Sequence, residues 1–231
     1  MKQYASYSRR MADSSRGAGG KRGLLLDFGG VISYSPFEQL EAAEQRLGLA
    51  PGTLAWRGPL APGTDSLWQA MRSGELSERR YWELRAQEVG RLFGEDWCVQ
   101  DFMRRMRPAD PNAAIRPEAR DTIRTARRLG LRVGILTNEL ELFYGKAFLE
   151  ELDVLKEVHC IVDATHTGIL KPRPEAYALG LEALGTAACD TLFVDDQPRN
   201  IDGAVRVGLQ VVSFNICDPA GSYRCVNGHL A

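Results

Sequence analysis

Short apolar runs alternate with segments of helical periodicity through the second half of the chain, and this alternation constrains the fold more than any other feature. The helical segments carry apolar residues three or four positions apart and end at glycines such as Gly130 and Gly185. Strands are predicted at 132–136, 160–162, 191–194 and 210–214, and helices at 118–129, 139–152, 174–184 and up to about Gly208. Because strands separated by helices pair in parallel through right-handed crossovers, the pattern predicts a doubly wound parallel α/β sheet.

One further strand lies far upstream, and the segment between it and the later strands has no strand pattern. Residues 24–26 are an apolar run without polar alternation, as expected for a strand covered on both faces. Residues 33–114 instead show helical periodicity, with helices predicted at 37–48, 65–73, 77–93 and 97–107. We therefore expect a core of residues 23–32 and 115–231, with residues 33–114 inserted as a helical cap over one edge of the sheet.

The composition is that of a soluble globular protein and argues against several classes of partner. Of the 231 residues, 44% are hydrophobic and 26% are charged, and the net charge of −1 provides no basic field for nucleic acid. No apolar run approaches the roughly 18 residues needed to cross a bilayer. Five cysteines, an odd number without a C-x-x-C pair, favour reduced thiols. We expect a cytoplasmic monomer or homodimer that acts on a small molecule and binds neither nucleic acid nor membrane.

The N-terminal segment has the composition of a tail. Residues 1–22 are rich in Ser, Gly and Arg, with Asp13 as the only acid, and they lack the apolar stretch of a secretion signal. A disordered tail is the preferred interpretation. An organelle-targeting segment would share this composition and is an open alternative.

Polar side chains collect where the predicted strands end. Six of them stand at these ends or in a loop nearby: Asp27, Thr137, Asn138, Lys171, Asp195 and Asp196. Ligands of open parallel sheets gather at the carboxyl ends of the strands, where loops and helix N-termini meet. One such residue alone is weak evidence, because an acid after a strand often only caps a helix. Carboxylates, a hydroxyl, an amide and a lysine together predict a functional site.

The segments that carry these residues resemble the four motifs of the haloacid dehalogenase (HAD) superfamily. They read LLDFGGV at 25–31, ILTN at 135–138, KPRP at 171–174 and FVDDQPRN at 193–200. The resemblance extends over nearly all of residues 23–214. SGELS at 73–77, followed by Tyr81 and Trp82, is similar to a turn and helix of the helical, C1-type caps. The D-F-G-G-V form is similar to a branch that includes sugar-1-phosphatases and epoxide-hydrolase-associated phosphatase domains.

The resemblance implies a Mg²⁺ site. Asp27 is implied to be both nucleophile and metal ligand, with Asp196 as its partner ligand and the carbonyl of Gly29 as a third. Asp195 stands where most relatives have glycine, and it would either ligate the metal or orient its waters. Mg²⁺ prefers oxygen ligands, and its charge lets a carboxylate approach an anionic phosphoryl group.

The other motif residues are implied to hold the phosphate and its charge. Thr137, which shares the second motif with the catalytic candidate Asn138, would bind phosphate oxygens together with the backbone N–H groups of Gly29 and Gly30. Lys171 would counter the charge of the nucleophile and of the aspartyl-phosphate. The two glycines would let the chain turn sharply and bring bare backbone close to the phosphate.

One catalytic carboxylate of the superfamily is missing. Most of its phosphatases have a second Asp two residues after the nucleophile, which protonates the leaving oxygen and then activates water, and Gly29 stands there. General acid–base help is typically worth about 10²–10⁴ in rate. A substrate with a good leaving group, such as an anomeric sugar phosphate or an acyl phosphate, would need little protonation. Otherwise a cap acid would supply the proton, and the candidates are Glu38, Asp65 and Glu75.

We expect a Mg²⁺-dependent phosphatase for a small, sugar phosphate-like ester, with an aspartyl-phosphate on Asp27 and Arg57 in reach of a substrate anion. A metal-independent 2-haloacid dehalogenase is one alternative, since halide needs no acid. Its pattern, however, has an aromatic residue in the place of Gly29, and the Asp195-Asp196 pair would repel a carboxylate substrate. A catalytically degenerate binding protein is the other alternative.

Overall fold

Five parallel strands form the centre of the molecule in the computed structural model, which describes residues 22–230. The strands are β1 (Gly23–Leu26), β2 (Arg132–Thr137), β3 (Cys160–Asp163), β4 (Thr191–Asp195) and β5 (Gln210–Ser213). Their order across the sheet is β3-β2-β1-β4-β5, and all neighbours pair in parallel. The predicted doubly wound α/β fold is confirmed. The predicted tail lies outside the described residues, apart from Arg22.

The helices alternate with the strands in the second half of the chain. They are α1 (Leu40–Leu47), α2 (Ser66–Ser73), α3 (Glu78–Leu92), α4 (Val99–Met106), α5 (Pro117–Arg128), α6 (Leu140–Tyr144), α7 (Lys146–Glu151), α8 (Asp153–Lys156), α9 (Ala164–Thr167), α10 (Pro174–Leu184), α11 (Pro198–Arg206) and α12 (Pro219–Leu230). The helix predicted at 139–152 is divided at Gly145, whose φ of 78° ends α6. The sequence pattern did not predict α12.

Helices cover the sheet on both faces because successive side chains of β1 point in opposite directions. Leu24 and Leu26 pack into an apolar cluster with α5 and α12. Leu25 packs into a second cluster, with α10 and α11. All three leucines are fully buried, which explains why this strand shows no polar alternation.

Residues 33–114, here called the inserted segment, join β1 to the rest of the core through α1–α4. Their apolar side chains form a cluster separate from the two that cover the sheet. Aromatic rings dominate this cluster, and those of the inserted segment belong to Phe37, Trp56, Trp68, Tyr81, Trp82, Trp97 and Phe102. Phe143 of α6 completes the cluster, so the inserted segment packs on the core through this helix.

The two chain connections between the sheet and the inserted segment lie side by side. Ser33 and Ile115 form an isolated antiparallel bridge at this crossing. The buried guanidinium of Arg116 donates to both carboxylate oxygens of Glu38, at 2.8 and 2.7 Å, and to the carbonyl of Gly30 at 3.0 Å. One arginine thus ties the entry of the inserted segment to its exit.

The structure describes neither a membrane-spanning helix nor a disulfide within residues 22–230. None of the helices in this range combines the length and the hydropathy needed to span a bilayer. All five cysteines lie in the range, and each is a free thiol.

Candidate active site

Asp27 and Asp195 meet at the carboxyl edge of the sheet because their strands are neighbours. β1 and β4 pair with Leu26 opposite Val194, so the two acids that follow lie side by side. Nζ of Lys171 lies 2.8 Å from Oδ1 of Asp27 and 2.6 Å from Oδ2 of Asp195. All three charged side chains are buried. The structure therefore brings together three residues that the sequence placed in separate motifs.

Both carboxylate oxygens of Asp195 accept hydrogen bonds from other groups of the protein. Besides the ammonium of Lys171, its carboxylate accepts from Nδ2 of Asn200, at 3.0 and 3.1 Å, and from the backbone N–H of Gln197 at 2.8 Å. These contacts hold Lys171 beside Asp27. A role for Asp195 in ligating a metal stays a prediction.

Asp196 has the opposite environment, since it lines the cavity in front of Asp27. Its Oδ2 lies so close to Gly30 that a Cβ added there would be 3.0 Å from it, and the φ of Gly30 is 76°. Any side chain at Gly30 would therefore be both strained and in contact with Asp196. Gly29 differs, because its φ of −70° suits every residue and no atom lies within 4 Å of an added Cβ. The sharp turn requires only one of the two glycines, contrary to the expectation.

Thr137 and Asn138 stand at the end of β2, and both line the cavity. Oδ1 of Asn138 accepts from the backbone N–H of Lys171 at 2.9 Å, and its Nδ2 donates to the carbonyl of Lys171 at 3.3 Å. Asn138 thus fixes the loop that carries Lys171. Its predicted catalytic role stays a prediction.

Burial raises the pKa values of the two carboxyl groups of the core that line the cavity. Burial is the largest influence on Asp27; Lys171 opposes it, the charge of Asp195 adds to it, and the resulting pKa is about 7. Burial, with the charges of Asp195 and Asp27, holds the pKa of Asp196 well above its usual range. Burial disfavours the charge of Lys171, but Asp195 and Asp27 outweigh it and raise the pKa of its ammonium.

These groups fit a divalent cation. One oxygen of each of Asp27, Asp195 and Asp196 lies within 4.8 Å of the other two. Three carboxylates and one ammonium leave two negative charges uncompensated when all are ionised. This excess adds to the cost of holding the carboxylates in their ionised form in a buried site. Mg²⁺ prefers hard oxygen donors of this kind and carries the matching charge.

A cavity of about 70 Å³ lies between the edge of the sheet and the inserted segment. Since one water needs roughly 10–15 Å³ of such space, the cavity has room for about five to seven water-sized groups. Its walls combine polar residues of the core with apolar side chains of the inserted segment, among them Phe37, Trp68, Trp82 and Met103. The space next to Asp27 is thus polar on one side and aromatic on the other.

None of the three predicted cap acids lines this cavity. Glu38 is held by Arg116 in the connection described above. Asp65 is buried in the inserted segment, where it accepts a hydrogen bond of 2.8 Å from the hydroxyl of Tyr81. Glu75 is exposed on the surface. The structure thus assigns the first two to other bonds and places the third away from the site.

Arg57 also lies apart from the site, and Glu78 takes a place that the sequence did not indicate. The guanidinium of Arg57 donates to the carbonyls of Leu54 and Trp56, and Arg57 does not line the cavity. Glu78 does line it, from the first turn of α3. The only sequence signal for it is its place after Ser77, where the predicted helix begins.

Comparisons with known proteins place this geometry in one family. The sequence profile described as haloacid dehalogenase-like hydrolase matches residues 22–208. A phosphatase of Mycobacterium tuberculosis, MT3486, is 35% identical over 94 residues, which cover 41% of this chain and 43% of that protein. Haloacetate dehalogenase H-2 of a Moraxella species is 33% identical over 100 residues, covering 43% and 44%. The matched region therefore spans less than half the length of either relative.

The fold is similar to that of a solved HAD hydrolase, YfnB of Bacillus subtilis, whose crystal structure contains magnesium. The two share 19% sequence identity with a TM-score of 0.61, over 84% of this chain and 86% of that one. At this identity the likeness establishes the fold alone.

Proposed function

The chain belongs to the haloacid dehalogenase-like hydrolase family, and from that premise we propose that it is a Mg²⁺-dependent phosphatase of small phosphate monoesters. The observation that carries the proposal is the trio of carboxylates around one lysine, Asp27, Asp195 and Asp196 around Lys171. Such an excess of negative charge favours a divalent cation. It disfavours an anionic substrate bound without one.

The ligands and the nucleophile follow from the positions of the carboxylates. Asp27 and Asp196 would hold Mg²⁺, with the carbonyl of Gly29 as a third ligand. The bound ion would neutralise part of the charge between the carboxylate and the phosphate. Lys171, held by Asp195 and Asn138, would keep Asp27 ionised by favouring its charged form.

The reaction is a double displacement at phosphorus. A carboxylate oxygen of Asp27 attacks the phosphorus, and the bond to the leaving oxygen breaks with its electron pair. Water then attacks the aspartyl-phosphate and releases inorganic phosphate, which regenerates the carboxylate. Thr137 and the backbone N–H groups that follow Asp27 would bind the oxygens of the phosphoryl group during both steps.

The inserted segment would act as a cap that covers the phosphate and selects the rest of the substrate. It supplies the aromatic wall of the cavity, and its two adjacent connections at Ser33 and Ile115 form a natural hinge. Closure of such a cap excludes water from the reacting groups. The cytoplasmic location and the monomeric or dimeric state stay predictions from composition.

A 2-haloacid dehalogenase is disfavoured by Asp196. A haloacid carries its own carboxylate, which would have to enter a cavity already lined by Asp27 and Asp196 and balanced only by Lys171. Like charges in a site of this depth are costly. The similarity to a haloacetate dehalogenase over part of the chain nevertheless makes halide release one arm of the test.

The test is the release of phosphate or halide from a substrate panel in MgCl₂ and in EDTA. The phosphate panel contains acetyl phosphate, 4-nitrophenyl phosphate and several sugar phosphates, and the halide panel contains chloroacetate and 2-chloropropionate. We expect phosphate release that requires Mg²⁺ and disappears in Asp27→Asn and Asp196→Asn. Asp121→Asn, at an exposed position on α5, is the matched control. Halide release in EDTA would overturn the proposal, as would the absence of turnover combined with tight binding of one metabolite.

A further inference from the structure

Glu78 faces the nucleophile from the opposite wall of the cavity. Among the described residues, three carboxylates line this cavity: Asp27 and Asp196 from the core and Glu78 from the inserted segment. The first two are accounted for by the nucleophile and the metal. Glu78 has no role in that scheme, and it comes from the side on which the organic part of a substrate would lie.

We propose that Glu78 protonates the leaving oxygen and then activates water, which gives the site the acid and base that Gly29 cannot provide. This inference rests on the proposed phosphatase function. It names a residue of the inserted segment as a catalytic group. Chemistry would then require the inserted segment to be closed over the core.

The backbone of Glu78 is held firmly, while its carboxylate stays partly exposed to the cavity. Ser77 caps α3 by accepting from the backbone N–H of Arg80, at 3.1 Å, and the next turn buries Tyr81 and Trp82. The carboxylate itself contacts Nη2 of Arg199 at 3.5 Å and interacts with the side chain of Gln197, and the Glu78 side chain is 25% exposed. A group that must exchange protons with substrate and water needs this combination of a fixed backbone and a partly exposed carboxylate.

The groups around Glu78 shift the pKa of its carboxyl in opposite directions. Burial is the largest influence and raises the pKa of its carboxyl, while Arg199, Gln197 and Lys171 lower it and Asp195 raises it. Asp196 and Tyr144 are also near Glu78, since the charge of Glu78 contributes to the raised pKa values of both groups. The net effect keeps the proton on Glu78 to higher pH than on an exposed glutamate, which suits a proton donor.

Glu78 gives up a proton in the first displacement and regains one in the second. As Asp27 attacks phosphorus, the electron pair of the breaking P–O bond goes to the leaving oxygen. That oxygen takes the proton of the Glu78 carboxyl and departs as an alcohol. Glu78, now a carboxylate, removes a proton from the water that attacks the aspartyl-phosphate. The products are inorganic phosphate, ionised Asp27 and protonated Glu78.

The decisive experiment compares leaving groups of different acidity. Acetyl phosphate and 4-nitrophenyl phosphate leave readily without a proton, whereas phenyl and alkyl phosphates require one. We expect Glu78→Gln to lower kcat/KM for phenyl and alkyl phosphates by about 10²–10⁴ and for the first two by less than about tenfold. A plot of log kcat/KM against the leaving-group pKa should therefore become steeper. A residue with only a structural role would lower every point equally.

Matched variants and controls separate the possible failures. Glu75→Gln, an exposed acid three residues earlier, should reproduce the wild-type slope. Should Glu78→Gln not fold, as judged by thermal unfolding, Glu78→Ala is compared over the same series. Equal slopes for wild type and the Glu78 variant would overturn this inference and leave the phosphatase standing. Wild-type turnover confined to acetyl and 4-nitrophenyl phosphates would also overturn the role of Glu78 and leave the phosphatase proposal standing. No phosphate release from any ester by the wild type would overturn both.

Discussion

The ammonium of Lys171 lies 2.6 Å from Oδ2 of Asp195, and the two side chains are 1% and 0% exposed. Asp195 is in turn fixed by Asn200 and by the backbone of Gln197. Lys171 therefore does not depend on Asp27 for its position. The ammonium also offsets the charge of Asp27, through a second contact of 2.8 Å.

Replacing Lys171 by Met should destabilise the protein and abolish turnover. Removing the ammonium leaves Asp27 and Asp195 as buried, unpaired carboxylates, which typically costs about 3–5 kcal/mol. The loss should be smaller at pH 5 than at pH 8, because protonation of a carboxyl relieves it. Urea unfolding at both pH values measures this. Lys156→Met, which breaks an exposed pair with Asp153, should cost no more than about 1 kcal/mol. Equal losses in the two variants would contradict this account.

Arg116→Ala should weaken the connection between the sheet and the inserted segment. The variant removes the buried cation that pairs with the Glu38 carboxylate and donates to the carbonyl of Gly30, and about 3–5 kcal/mol of unfolding free energy should be lost. Arg124→Ala is the control, because its pair with Glu157 is half-exposed and should be worth no more than about 1 kcal/mol. Denaturant titration of the two variants side by side tests the difference, and similar midpoints would refute it.

The stability of the metal-free protein should fall as the pH rises. The pKa of Asp27 is about 7 in the folded state, above the usual range of an aspartate because burial disfavours its charge, so the folded state binds this proton more tightly. The stabilisation is complete below the pKa of an unfolded aspartate, about 4, and is lost as the pH rises through 7. Tm in EDTA should therefore decrease between pH 5.5 and pH 8, and MgCl₂ should restore it most at pH 8.

Asp196→Asn provides the check on that interpretation. Because burial and the neighbouring Asp195 and Asp27 disfavour the ionised form of Asp196, removing this charge should raise Tm in EDTA at pH 8. The same substitution removes a proposed metal ligand, so the response to MgCl₂ should largely vanish. A Mg²⁺ response equal to that of the wild type would exclude Asp196 as a ligand.

Gly29→Asp should increase the hydrolysis of alkyl phosphates. The backbone at Gly29 has an ordinary φ of −70°, and no atom lies within 4 Å of an added Cβ, so an aspartate fits without strain. It would add an acid next to the nucleophile, where general acid–base help is worth about 10²–10⁴ in rate. The measurement is kcat/KM for an alkyl phosphate in the wild type, in Gly29→Asp and in Gly29→Asp combined with Glu78→Gln. Gly30→Asp, where φ is 76°, should instead reduce folding.

The centre of the site could be predicted because it depends on strand order alone. Once β1 and β4 pair in register, Asp27 and Asp195 are neighbours whatever the surrounding helices do. The resemblance named Asp196 as the metal ligand and left two roles open for Asp195, because the residues alone do not show in which direction each of two consecutive acids points. Only the three-dimensional turn shows that Asn200 satisfies the first acid and that the cavity receives the second.

The contributions of the inserted segment were less predictable. Its helices follow from apolar periodicity, but the docking of α3 on the core decides which acid reaches the cavity, and that docking depends on contacts far apart in sequence. Glu75 and Glu78 are three residues apart, yet only Glu78 lines the cavity. α12 was missed because its sequence holds two glycines and few apolar residues.

The bridge between Ser33 and Ile115 also bears on how such a protein can diversify. A module that enters and leaves a scaffold at a single point can be lengthened, trimmed or exchanged without shifting the register of the strands below. The inserted segment and the strand ends of the core are therefore free to evolve at different speeds in this architecture, except where a residue such as Glu78 reaches the shared cavity.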